Sequence, residues 1–120
     1  MNNRLHNCTN PYQGKTKKVL CVCSAGLLRS PTAAVVLNRE YGYNTRACGI
    51  DSSFALIPFD EVLAHWADEI VVMEPYQVGL IPDSYAHKVS CLGIKDSFAY
   101  MDKELQQQIK DKYASTLRNP

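Results

Sequence analysis

Two lysines followed by Val19-Leu20-Cys21-Val22-Cys23, and then, within a handful of residues, Arg29-Ser30-Pro31, leave this chain little freedom in what it can fold into. A short apolar run rich in β-branched residues, with charge before it and a turn after it, reads as a strand buried on both faces. Proline suits the first helical position and pushes the residue before it into extended backbone, so Ser30 is the expected N-cap of a helix reaching about Tyr41. A buried strand that turns directly into a helix is half of a βαβ unit. The remainder of the sequence has to supply parallel partners for it.

Such partners are present. Tyr43 to Gly49 reads as a second strand, followed by a loop or cap at Asp51-Ser52-Ser53. A helix over Pro58–Trp66 is predicted from Phe59, Val62, Leu63 and Trp66 at i, i+3, i+4, i+7, and Glu69 to Met73 is a compact third strand. A short helix beginning at Pro75 within Glu74–Leu80, a fourth strand over Val89–Ile94 and a terminal helix over Met101–Leu117, with Leu105, Ile109 and Tyr113 on its inner face, complete the alternation. The expectation is a three-layer α/β domain, a four-stranded parallel sheet flanked by helices with right-handed crossovers, over residues 18–120 after a polar N-terminal tail at 1–17. Ligands of such sheets sit beyond the strand C-termini, where Cys23, the 50–54 loop and the segment after Ile94 all emerge.

At 120 residues there is room for one domain and no second. Thirteen Lys and Arg against twelve Asp and Glu leave a net charge of +1, which speaks against nucleic acid or a membrane surface as the main partner. The first eighteen residues hold no apolar run of signal-peptide length, so the chain is expected in the cytoplasm. Five cysteines, an odd number without paired metal-ligand spacing, are expected as reduced thiols, with Cys48 and Cys91 as small core hydrophobes. His6, His65 and His87 show no ligand spacing, and neither a metal nor a cofactor is expected.

The turn itself carries chemistry. A short loop entering a helix can point its backbone N–H groups into one hollow, where the helix N-terminus adds positive charge, so Ser24, Ala25, Gly26, Leu27, Leu28 and Arg29 form a candidate phosphate cradle. Arg29 can bind two phosphate oxygens with its planar fork. Cys23 at the floor of that field is the candidate nucleophile, since a thiol so placed is favoured as thiolate. Ser30 can donate to its sulfur, and Gly26 allows the positive φ that a loop curling round an anion requires. With a phosphomonoester bound, Cys23 attacks phosphorus in line to give a cysteinyl phosphate. The leaving oxygen needs a proton from a facing loop, for which Asp96 is the candidate acid, with Asp51 in reserve against its plainer role as a turn initiator. Asp102 reads as the cap of the last helix. Leu27 and Phe98 are candidate walls for an aromatic ring above the phosphate; for Phe54 a wall and ordinary packing stand level.

The segment Cys23-Ser-Ala-Gly-Leu-Leu-Arg-Ser-Pro-Thr-Ala33 is similar to the Cys-x5-Arg-Ser phosphate loop of the low-molecular-weight protein tyrosine phosphatases. Trp66 to Met73 resembles the family's third-strand signature, and Asp96-Ser97-Phe98 stands where the family has Asp-Pro-aromatic. Through Tyr100-Met101-Asp102 the likeness is to a compact bacterial and phage-like branch, and overall it covers about Lys18 to Tyr113. It implies a flavodoxin-like phosphatase fold, no metal, Cys23 as nucleophile, Arg29 as clamp, Ser30 as thiolate stabiliser, Asp96 as general acid, a phosphotyrosine protein or small aryl phosphate as substrate, and inorganic phosphate as product. Three positions depart from the pattern. Gly26 replaces a loop asparagine and its side-chain network, Leu28 replaces a second cysteine, so redox protection by that route is absent and strand alternation does not guarantee that Cys21 reaches, and Ser97 replaces the proline that would restrain the acid loop.

Other functions compete. Sugar-transport IIB phosphocarriers share a similar fold and a Cys-Ser-Ala-Gly start, but they resemble a loop without the arginine found here at position 29. Arsenate reduction needs a relay of downstream cysteines that Cys48 and Cys91, far apart in sequence, do not form. A phosphopeptide-binding pseudophosphatase is the reading in which Gly26 and Ser97 cost the loop its turnover.

Overall fold

A computed structural model describes residues 17–24, 29–51, 57–95 and 99–118. β1 (Lys18–Cys23) leads to α1 (Arg29–Tyr41), β2 (Asn44–Gly49), α2 (Glu61–Trp66), β3 (Glu69–Val72), α3 (Pro75–Val78), a 3₁₀ turn at Asp83–Lys88, β4 (Val89–Cys91) and α4 (Lys103–Arg118). All strand pairings are parallel, in the order β2-β1-β3-β4. The first strand is therefore central, with Leu20 paired to Arg46 on one side and to Ile70 on the other.

Alternation along β1 divides the core in two. Val19, Cys21 and Cys23 pack with Ala33, Ala34 and Leu37 of α1 and Leu105, Ile109 and Tyr113 of α4. Leu20 and Val22 face the opposite layer, with Ile70, Val72, Cys48 and Ala64 of α2. A strand apolar at every position is what a sheet covered on both faces demands. α1 ends where Gly42, at φ 72°, returns its N–H to the Asn38 carbonyl at 2.9 Å, a left-handed stop that glycine adopts without steric cost. Thr45 in β2 ties back to the Ala34 carbonyl at 2.8 Å.

Several expected boundaries move, for identifiable reasons. α1 begins at Arg29, so Ser30 lies inside its first turn and is not the N-cap; its hydroxyl is engaged elsewhere. The expected helix from Pro58 starts only at Glu61, because Pro58 is held in a bridge to Gly49, and Asp60 is the cap, accepting from the Leu63 N–H at 2.8 Å. Val62 then faces solvent at 75% exposure and Ala64 takes the inward position. Tyr41, the last residue of α1, lies at the rim and stacks on Tyr43 at 5.2 Å. Asp102 caps α4 as expected, accepting from the Glu104 and Leu105 N–H groups. β4 is short, but the chain continues the ladder through Leu92 N to Val72 O and Ile94 N to Met73 O.

A polar cluster closes the end of the sheet where the strands begin. Glu69 accepts from the Tyr113 hydroxyl at 2.6 Å and the Ser90 hydroxyl at 2.7 Å, and pairs with Lys17 at 2.9 Å. Burial alone would raise the Glu69 carboxyl, but these hydrogen bonds and the lysine charge outweigh it and hold the group below its ordinary value. Burial, then the bond to Glu69, pushes Tyr113 up. A carboxylate depressed in the folded state contributes stability above its unfolded value and gives it up as pH falls through the folded one. Glu69→Gln should therefore cost about 1–3 kcal/mol at neutral pH. It should also flatten the loss of stability on acidification below the ordinary value of 4.5, read from denaturant midpoints; equal acid slopes in both proteins would reject this account.

Candidate active site

The strand order places a topological switch point between β1 and β3: the chain leaves β1 towards β2 on one side and enters β3 on the other. A crevice opens at such a point beyond the carboxyl ends of the strands. Cys23 ends β1 there, 3% exposed, with its carbonyl accepting from Ile50 N at 2.8 Å and the next carbonyl, Ser24, from Asp51 N at 2.9 Å. These bonds fix the exit of β1 against the exit of β2.

Across the turn, Ser30 Oγ lies 3.1 Å from Cys23 Sγ and 3.2 Å from the Cys48 carbonyl oxygen, both within hydrogen-bond reach. Side chain and strand end are thus joined in one buried contact at the N-terminus of a thirteen-residue helix. The Cys48 thiol is pushed up, first by burial and then by the Cys23 and Asp60 charges, and stays protonated. Cys48 packs with Val22 on one face of the sheet, whereas Cys21 and Cys23 belong to the other.

Among the described residues Arg29 is the largest fully buried one, at 1% exposure. A guanidinium cannot shed its charge, so burial at this depth demands partners. Nη1 donates to the Ile94 carbonyl at 2.8 Å and pairs with Glu74 Oε1 at 3.2 Å. Glu74 comes after β3 and Ile94 after β4, so the guanidinium lies where the carboxyl ends of three strands meet. Ser24, next to Cys23, bonds through its hydroxyl to the Tyr76 hydroxyl at 2.6 Å.

The sequence-predicted residues Cys23, Ser24, Arg29 and Ser30 are therefore assembled at one edge. Ala25, Gly26, Leu27, Leu28, Phe54, Asp96 and Phe98 lie outside the described residues. The chain carrying Asp96 is anchored at both ends on the first turn of α1, through Ile94 O on Arg29 and through Met101 N on the buried Thr32 hydroxyl at 2.9 Å. Met101 takes φ 59°, a left-handed conformation that an unbranched side chain adopts at some cost. Asp51 sits at the same edge, its backbone tied to Ser24. Glu74, Tyr76 and Gln77 are neighbours of the site that periodicity assigned only to a short helix; a glutamate directly after a buried strand at the ligand edge was the available signal.

A concavity of about 540 Å³ opens at the opposite edge, among Lys17, His65, Asp68, Glu69, His87 and Lys88. Its ionic groups are committed to structure: Lys88 Nζ caps the end of α2 through the Ala64 and Ala67 carbonyls, and Asp68 accepts from Lys18 N. Its Ser90 hydroxyl is likewise engaged, donating to Glu69 at 2.7 Å, whereas the buried thiol and guanidinium stand at the edge where the strands end.

No protein-family model matches the chain, and no curated protein sequence does. Solved structures do match. Wzb from Vibrio vulnificus in complex with benzylphosphonate is 20% identical, with a TM-score of 0.68 over 88% of this chain and 99% of that one. The tyrosine phosphatase Wzb from Escherichia coli K30 in complex with sulphate is 15% identical, with a TM-score of 0.64 over 85% and 99%. The YwlE arginine phosphatase from Geobacillus stearothermophilus is 17% identical, with a TM-score of 0.61 over 85% and 93%. These likenesses establish the fold, that of the low-molecular-weight phosphatases.

Ser30→Ala removes the hydroxyl beside the sulfur and leaves the strand-to-helix junction otherwise intact. A hydrogen bond to a charged group contributes about 1.5–3 kcal/mol, so alkylation of Cys23 by iodoacetamide at neutral pH should slow by roughly tenfold or more. Peptide mapping of the labelled thiol gives the rate, with buried Cys21 and Cys48 as internal references.

Proposed function

We propose that this protein is a cysteine-dependent phosphomonoester hydrolase acting on phosphotyrosine or another aryl phosphate. The observation that carries this reading is the junction of Cys23 Sγ, Ser30 Oγ and the buried Arg29 guanidinium at the N-terminus of α1. A helix start, a fixed cation and a hydroxyl-bonded sulfur together favour an anion and a nucleophile in the same place. That the matched fold includes proteins described as tyrosine and arginine phosphatases, some holding sulphate or a phosphonate, supports it.

In this mechanism the Cys23 thiolate attacks phosphorus as the bond to the leaving oxygen breaks, with Arg29 and the loop N–H groups taking up charge on the equatorial oxygens. Asp96 gives its proton to the leaving oxygen. The same carboxylate then takes a proton from water, which attacks phosphorus, breaks the P–S bond and releases inorganic phosphate with the thiolate restored. Anchoring of both Ile94 and Met101 on the first turn of α1 supports Asp96 in this part. A role for Arg29 in clamping phosphate also separates this reading from a IIB-type phosphocarrier. Reduced cysteines, and a described structure in which no helix is long and apolar enough to cross a membrane, are compatible with a cytoplasmic enzyme.

The reduced protein should hydrolyse p-nitrophenyl phosphate in the presence of a chelator, best at mildly acidic pH. Cys23→Ser should abolish turnover and keep inorganic phosphate binding, and Asp96→Asn should slow it by about 10²–10⁴. Turnover surviving in Cys23→Ser would remove the nucleophile, and an unchanged Asp96→Asn rate would pass the acid role to Asp51 or water. Parallel assays on phosphotyrosine and phosphoarginine peptides separate the two substrate classes.

A further inference from the structure

We propose that the Glu74-Pro75-Tyr76-Gln77 turn is a clamp holding both ends of the anion loop, so that Glu74, Tyr76 and Gln77 are positioning residues for Ser24 and Arg29. The inference rests on the phosphatase reading and adds to it the source of the loop's rigidity.

The turn grips the loop at two points. At the start, Tyr76 Oη lies 2.6 Å from Ser24 Oγ, and Gln77 Nε2 reaches both oxygens at 3.3 and 3.5 Å. At the far end, Glu74 Oε1 pairs with Arg29 Nη1 at 3.2 Å. The turn is itself locked from inside. Gln77 is fully buried, and its carbonyl oxygen accepts from Met73 N at 2.9 Å and Glu74 N at 3.0 Å. One glutamine side chain thus braces the backbone that presents the glutamate while its amide faces the Ser24–Tyr76 pair. Proline at 75 fixes φ in the middle of the motif.

Topology explains why this turn has the position to act. β3 is the neighbour of β1 across the switch point, so the segment leaving β3 stands directly beside the segment leaving β1. The chemistry explains the need. With Gly26 in the loop there is no side chain at that position to stiffen it from within, and a clamp from outside supplies the restraint. Tyr76 is 54% exposed, although its hydroxyl is tied inward, which is unexpected for a residue that merely fills the core.

A carboxylate beside the arginine has two conceivable effects with opposite signatures. As a positioner it keeps the fork aimed at the transferring phosphoryl group, and losing it lowers kcat. As a charge damper it only weakens anion binding, and losing it tightens phosphate without touching kcat.

The test measures kcat, KM and inhibition by inorganic phosphate on p-nitrophenyl phosphate for Glu74→Ala, Glu74→Gln, Tyr76→Phe, Ser24→Ala and the Tyr76→Phe/Ser24→Ala double variant, with thermal unfolding of each. Glu40→Gln, on the far end of α1, is the control and should match wild type. Misaiming a catalytic group costs roughly ten- to a hundredfold, so Glu74→Ala should lose that much kcat, while Glu74→Gln, which keeps an acceptor oxygen, recovers most of it. Tyr76→Phe should lose about two- to tenfold in kcat/KM, and that loss should vanish in the Ser24→Ala background. Wild-type kcat in Glu74→Ala, tighter phosphate binding in both Glu74 variants at unchanged kcat, or a Tyr76→Phe effect that persists without the Ser24 hydroxyl would each overturn the clamp while leaving the phosphatase reading intact. A wild-type protein that neither turns over the ester nor is inhibited by phosphate overturns that reading first, and the clamp with it.

Discussion

A guanidinium at 1% exposure is costly to bury, and its requirements organise what surrounds it. Arg29 cannot be buried neutral, so the fold has to bring it both a carboxylate and a carbonyl, and it draws these from the ends of two different strands. The parallel order β2-β1-β3-β4 is what makes that feasible, because all four carboxyl ends finish at one edge. An antiparallel strand at β3 would have carried Glu74 to the opposite side of the molecule. The same constraint accounts for the length of α1: the helix must begin at the crevice and still cover Val19 and Cys21 along the sheet.

Polar and charged groups are buried at both edges of the sheet, and the two sets differ in kind. Where the strands begin, Glu69, Tyr113, Ser90 and Lys17 satisfy one another, and the carboxylate is settled in its charged form. Where they end, the polar groups bracket a short loop and their geometry is directed at its two termini. Stability and chemistry are thereby kept about a strand length apart, joined by cores on both faces that are almost wholly apolar.

Much of this could be read from the chain before folding. The βα junction at Cys23 and Ser30, the parallel sheet, the inner face of α4 and the capping role of Asp102 come from residue type and spacing, because each is decided by local propensity or by a strong period. The misplaced elements were decided by contacts distant in sequence. α2 starts late because Pro58 is taken by Gly49, so Val62 at the right helical spacing still faces water. Ser30 reads as a cap in isolation but is claimed by a sulfur seven residues before it and a carbonyl on another strand. Glu74 offered only its place directly after a buried strand, and Tyr76 offered nothing, since their meaning comes from which strand is next to β1, and adjacency is a property of topology.

The contact made by Ser30 has an implication of its own. A hydroxyl carries a single hydrogen, and here it has two claimants, the Cys23 sulfur at 3.1 Å and the Cys48 carbonyl at 3.2 Å. Whichever of the two receives that hydrogen withholds it from the other, so the end of the first strand and the end of the second share one donor. The second strand consequently senses which of the two holds the hydrogen, and the carbonyl stretch or carbon shift of residue 48 becomes a spectroscopic gauge of the sulfur's hydrogen bonding that requires no reaction to take place.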